Sequence, residues 1–108
     1  MSGTLKLEVV EGPCQGATVC RRGGITVGRS RHADLLLRDD TKVSALHATL
    51  APLRGQWFIE DHGSTNGTYV NGERVEQCPL RDGDTISIGR SELVVQWVDD
   101  EEGSCPPT

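Results

Sequence analysis

Aromatic side chains are scarce in this sequence: two tryptophans, one tyrosine and one phenylalanine. No basic stripe interleaves with these rings and the net charge is −5, which argues against nucleic-acid binding. No apolar run approaches the ~20 residues of a membrane-spanning helix. The amino terminus, Met1-Ser2-Gly3-Thr4-Leu5-Lys6, lacks the apolar stretch of a signal peptide. An intracellular setting, nuclear or cytoplasmic, is therefore expected, with no membrane partner. None of the four cysteines, Cys14, Cys20, Cys78 and Cys105, stands in a C-x-x-C pair. Reduced thiols are expected, with Cys20 and Cys78 as small core residues. Cysteines and histidines show no metal-ligand spacing, so neither metal nor cofactor is expected.

Catalytic devices are missing as well. Ser44 and His47 invite a serine hydrolase, yet there is no G-x-S-x-G elbow. In Gly63-Ser64-Thr65-Asn66-Gly67 the serine sits at the wrong spacing for one. No G-x-x-x-x-G-K-[ST] phosphate loop appears, so nucleotide hydrolysis lacks its main device. No residue is assigned a catalytic role.

Glycine, by contrast, is plentiful, with 13 in 108 residues. Many glycines in a short chain mean many turns and many short strands. Leu5, Leu7 and Val9 alternate with Lys6, Glu8 and Val10 at the period of two that a half-buried strand requires. Ala17–Cys20, Ile25–Val27, Leu35–Leu37, His47–Leu53, Gln56–Glu60, Thr68–Val70, Thr85–Ile88 and Leu93–Val98 read as further strands. Asn71-Gly72 is a strong hairpin signal, and Arg81-Asp82-Gly83-Asp84 and Gly89-Arg90-Ser91 are turns. Ser30 to Ala51 holds no Gly or Pro, but its apolar positions lack a 3.6 period, so strand–loop–strand is expected there. Such spacing predicts an all-β antiparallel sandwich or barrel. Residues 1–98 form the domain. Residues 99–108 are an acidic, Pro-containing tail or linker, expected to be disordered.

The charge is unevenly spread. Asp99, Asp100, Glu101 and Glu102 supply four of the five net negative charges, which leaves −1 for the rest. Arg21, Arg22, Arg29, Arg31 and Lys42 lie in the first half, where an anion site is electrostatically reasonable. Two polar segments interrupt the strands: Gly28-Arg29-Ser30-Arg31-His32, continued by Asp39 to His47, and Asp61 to Thr68. Loops at one end of a sandwich converge on a shared surface. Brought together, these offer a guanidinium, an ammonium, hydroxyls, an amide and backbone N–H groups. A phosphate, with about −1.5 to −2 charge and three acceptor oxygens, suits that donor set.

In order and spacing, Gly28-Arg29, Ser44-x-x-His47, Ser64-Thr65-Asn66-Gly67-Thr68 and Asn71-Gly72 resemble the forkhead-associated (FHA) domain family, over roughly residues 4 to 98. The resemblance implies a β-sandwich of two twisted, largely antiparallel sheets with about eleven short strands. It implies a module that binds phosphothreonine-containing proteins in signalling, often selecting the residue three positions after the phosphothreonine. By the same resemblance Arg29 and Ser44 hold phosphate, Thr65 lies at the phosphate and methyl pocket, and Asn66 fixes the peptide backbone. Lys42 and Arg31 are further peptide or phosphate contacts. Gly28, His47, Gly67, Thr68, Asn71 and Gly72 shape the loops. Many members carry a polar or basic residue after the motif serine, where this chain has Ala45. The domain is expected to be monomeric and part of a longer protein. The alternative is a scaffold of the same fold that binds partners without phosphate.

Overall fold

Alternation sets the first strand. Leu5, Leu7 and Val9 are fully buried while Lys6 and Glu8 between them are partly exposed, so β1 (Thr4–Glu11) turns one face to the core. The computed structural model describes residues 4–98. The expected tail, 99–108, lies outside them. Ten more strands follow: β2 (Thr18–Arg21), β3 (Ile25–Gly28), β4 (Leu35–Leu36), β5 (Ala48–Leu53), β6 (Gln56–Asp61), β7 (Thr68–Val70), β8 (Glu73–Val75), β9 (Gln77–Pro79), β10 (Thr85–Ile88) and β11 (Ser91–Val98).

They form two sheets, a six-stranded one ordered β2-β1-β11-β10-β7-β8 and a five-stranded one ordered β4-β3-β5-β6-β9. All pairs are antiparallel except β3 with β4, where Val27 faces Leu35 and Gly28 faces Leu36. The core draws Leu5, Leu7, Ile86 and Leu93 from one sheet and Ile25, Val27, Leu50 and Ile59 from the other. Ser30 to Ala51 is strand–loop–strand, as expected, and no helix among the described residues could cross a membrane.

Strands β8 and β9 are not foreseen by the alternation pattern. Each has three residues and lies at a sheet edge with mostly exposed side chains. An edge strand tolerates Pro79, which cannot donate to the ladder. The Asn71-Gly72 hairpin forms as expected, with φ of 52° and 88° at its two central residues, the positive pair a type I′ turn needs. Asn71 is further held by Asp84 at 3.1 Å, and its side-chain oxygen accepts the Thr85 N–H at 3.1 Å.

The thiols divide. Cys14 and Cys78 are free and pack partly buried against the core. Cys20 is disulfide-bonded, which corrects the expectation of reduced thiols at that residue. It is only partly buried, on the edge strand β2.

Candidate functional site

Three loops meet at one end of the sandwich: 29–34 after β3, 37–47 before β5, and 62–67 between β6 and β7. Gly28 permits the first contact. A Cβ at this position would lie 2.1 Å from the Ala45 carbonyl oxygen, so any side chain would force the loops apart. Across that close approach, Arg29 N–H donates to the Ser44 carbonyl at 3.1 Å and Ser30 N–H to the Ala45 carbonyl at 3.1 Å.

His47 ties the second loop to the third. It is fully buried. Ser44 N–H donates to its Nδ1 at 3.1 Å, so the ring proton resides on Nε2, which donates to the Gly67 carbonyl at 2.8 Å. Both ring nitrogens are thereby used, and the imidazole braces loops without facing a ligand. Ser44 Oγ accepts the Thr65 N–H at 3.2 Å, and Asn66 Nδ2 donates to the Lys42 carbonyl at 2.8 Å.

Asp61 organises the third loop. Its carboxylate accepts the Ser64 N–H at 3.1 Å, the Ser64 hydroxyl, and the Thr68 hydroxyl at 2.7 Å. The Ser64 oxygen in turn accepts the Gly67 N–H at 3.0 Å. Burial pushes the Asp61 carboxyl up, but the Ser64 and Thr68 hydroxyls and the Ser64 N–H outweigh it and hold it below its ordinary 3.8.

Asp40 anchors the second loop. It is fully buried and accepts the Lys42 N–H at 3.1 Å, the Arg90 N–H at 2.8 Å and the Ser91 hydroxyl at 2.7 Å. The loop is thus pinned to the β10–β11 turn of the opposite sheet. No motif marks Asp40 or Asp61 in the sequence. Their signal is the short step to a backbone N–H, two residues on for Asp40 and three for Asp61.

Together the loops enclose an open cavity of about 260 Å³ lined by Arg29, Lys42, Ser44, Ala45, Thr65 and Asn66, with Thr41 and Val43. Five of the six residues expected to contact ligand meet here. The sixth, Arg31, is exposed and does not line the cavity. Asn71 and Gly72 lie beyond β7 and shape its hairpin with β8 instead. The lining holds two cations and no carboxylate. Among the described residues, the side chains of Arg29 and Lys42 have no hydrogen-bond or ion-pair partner and are exposed. The arrangement is therefore electrostatically suited to an anion.

Nothing near it resembles a nucleophile–base pair, because the His47 ring is fully used. Burial, then Asp84 and Glu73, push the Cys78 thiol above its ordinary value, which keeps it protonated and a poor nucleophile. Among the described residues no group of three or more His, Cys, Asp or Glu side chains is placed to hold a metal.

Comparison with known proteins agrees with this fold. The glycogen accumulation regulator GarA of Mycolicibacterium smegmatis is 38% identical over 94 residues, 86% of this chain and 59% of the relative. An ABC transporter ATP-binding/permease protein of Mycobacterium tuberculosis is 42% identical over 72 residues, 67% of this chain and 8% of the relative. The chain thus spans less than two thirds of either protein. An FHA domain solved in a study of phosphothreonine-dependent FHA domain interactions superposes with a TM-score of 0.79 at 34% identity, covering 89% of this chain and 98% of that one. The FHA domain family model matches residues 25–89, from β3 to the β10–β11 turn, and the chain belongs to the forkhead-associated domain family.

Proposed function

We propose that this chain is a phosphothreonine-dependent binding module that recruits phosphorylated partner proteins in signalling and catalyses nothing itself. The carrying observation is the acid-free cavity in which the unpaired Arg29 and Lys42 flank the Ser44 hydroxyl. A guanidinium and an ammonium with no partner among the described residues leave their full charge for a ligand. Charge-assisted bonds to phosphate are roughly twice as strong as neutral ones. Arg29, Lys42 and Ser44 hold the phosphate, Thr65 borders it, and Asn66 meets the peptide backbone. Arg31, outside the cavity, is left as an outer peptide contact.

The binding unit is residues 1–98, with 99–108 a linker or tail. It acts inside the cell as a monomeric adaptor unit of a larger protein. GarA is named a regulator, and the matching segment is 8% of the transporter relative, which supports a portable recognition unit. The test is a phosphothreonine peptide library titrated against the chain. A binder should emerge whose unphosphorylated and phosphoserine versions bind much more weakly. Equal binding of all three forms would point to a phosphate-independent scaffold.

A further inference from the structure

Cys20 stands on β2, the free edge of the six-stranded sheet, and it is disulfide-bonded. The chain has four cysteines, and Cys14 and Cys78 are free thiols. We propose that Cys20 is joined to Cys105, which lies outside the described residues, and that the bond is a thiol–disulfide latch fastening the segment after Val98 over the β2 edge. The proposal does not depend on the phosphothreonine-binding reading.

Three observations carry it besides the count of thiols. The first is reach. Strand β1 lies between β11 and β2, with Val98 opposite Thr4 and Cys20 opposite Lys6. Cys20 is thus two strand spacings across and two residues along from Val98, about 12 Å away. Cys105 is seven residues beyond Val98. An extended stretch of that length spans about 23 Å, which leaves slack.

The second is burial on the outer face. Leu5 and Leu7 of β1 and Leu93 and Val95 of β11 belong to the core, so at a period of two Thr4, Lys6 and Val98 point away from it. Lys6 is partly exposed, yet Thr4 and Val98 are only 5% and 8% exposed. The five-stranded sheet covers the opposite face, so a further stretch of chain shelters this one, and the chain continues from Val98 at this spot.

The third is charge. Asp99, Asp100, Glu101 and Glu102 follow Val98 directly, while Lys6, Arg21 and Arg22 stand on the way from β11 to the β2 edge. Arg22 is engaged rather than free. Exposed ion pairs are individually weak, so they guide the segment and the covalent bond holds it. An uncovered edge strand offers unpaired backbone groups to other chains, and the closed latch shields them. Closing removes one proton and one electron from each thiol. A low-molecular-weight disulfide accepts both pairs and leaves as two thiols, and excess dithiol reverses the exchange.

The experiment uses the 108-residue chain and its Cys14→Ser, Cys20→Ser and Cys105→Ser variants, each equilibrated with oxidised glutathione or with dithiothreitol. Tryptic digestion without reductant should yield fragment 7–21 joined to fragment 91–108 in the oxidised chain and in Cys14→Ser, and in neither other variant. Where the link forms, oxidation should raise the thermal midpoint by roughly 10 °C, because the bond closes a long loop. It should also slow amide exchange severalfold at residues 18–21. Dithiothreitol opens the unmutated chain without a substitution, so a variant that fails to fold does not decide the outcome. A bond from Cys20 to Cys14 or Cys78, capture of Cys20 by glutathione alone, or a link between two chains overturns the proposal. So does a Cys20–Cys105 bond that leaves both the midpoint and the exchange unchanged, since such a bond fastens nothing.

Discussion

The Ser44 hydroxyl oxygen accepts the Thr65 N–H at 3.2 Å across 21 residues of sequence, and the same hydroxyl faces the anion cavity. Ser44 thus joins two walls of the cavity while its hydroxyl proton keeps no partner among the described residues. Ser44→Ala should weaken phosphopeptide binding by about 1.5–3 kcal/mol, the worth of a hydrogen bond to a charged group. Stability should fall by only about 0.5–1.5 kcal/mol, since the orphaned Thr65 N–H is exposed to water. Calorimetric titration and urea unfolding of one preparation separate the two losses.

Arg29 shares the affinity cost without the structural one. Its guanidinium is exposed and without a partner among the described residues. Arg29→Ala should cost about 1.5–3 kcal/mol of phosphopeptide affinity and leave the thermal midpoint essentially unchanged. Arg29→Lys should recover only part of that loss, because an ammonium cannot make the bidentate contact. An unchanged affinity in the alanine variant would place the phosphate elsewhere.

His47 should behave as structure. His47→Ala leaves a cavity and strips partners from Ser44 N–H and the Gly67 carbonyl, at a cost of about 2–4 kcal/mol in urea unfolding. Any residual binding by the folded fraction should keep its preference for phosphothreonine.

Gly28 tests the close approach of the loops. The Gly28→Ala methyl would meet the Ala45 carbonyl oxygen at 2.1 Å, so the pair of backbone bonds from Arg29 and Ser30 must break. Both stability and phosphopeptide binding should fall, and amide exchange at Arg29 and Ser30 should quicken.

Asp61 gives the fold an acid-sensitive element. Its folded pKa lies below the ordinary 3.8, so the stability it contributes is complete above that value and is lost as pH falls through the folded pKa. Urea midpoints of the wild type and Asp61→Asn, compared between pH 5 and pH 2.5, should converge as the pH drops. A gap that stays constant over that range would remove the ionised carboxylate from the account.

Much of this was legible in the sequence. The alternation of Leu5, Leu7 and Val9, and of Leu93 and Val95, announces strands because one face must be dry. Arg29, Ser44, Thr65 and Asn66 could be named from the order of short motifs, and the cavity brings them together. Strands β8 and β9 escaped because three exposed residues carry no pattern; their neighbours' ladders recruit them. Arg31 is expected as a further peptide contact, yet it does not line the cavity. Its loop is aimed by the tether between Asp34 and Thr26, which spacing does not reveal. Asp40 looked like one of several loop acids, and only its contact with Arg90 and Ser91, 50 and 51 residues away, shows it to be an anchor.

Loop 62–67 leaves β6 in one sheet and enters β7 in the other, and Asp40 pins the second loop to the same far sheet. A ligand that grips Arg29, Ser44 and Asn66 at once therefore bolts the two halves of the sandwich together. Tension applied through a captured partner would be borne by both layers in parallel, and sliding of one over the other would have to break the grip on the phosphate first.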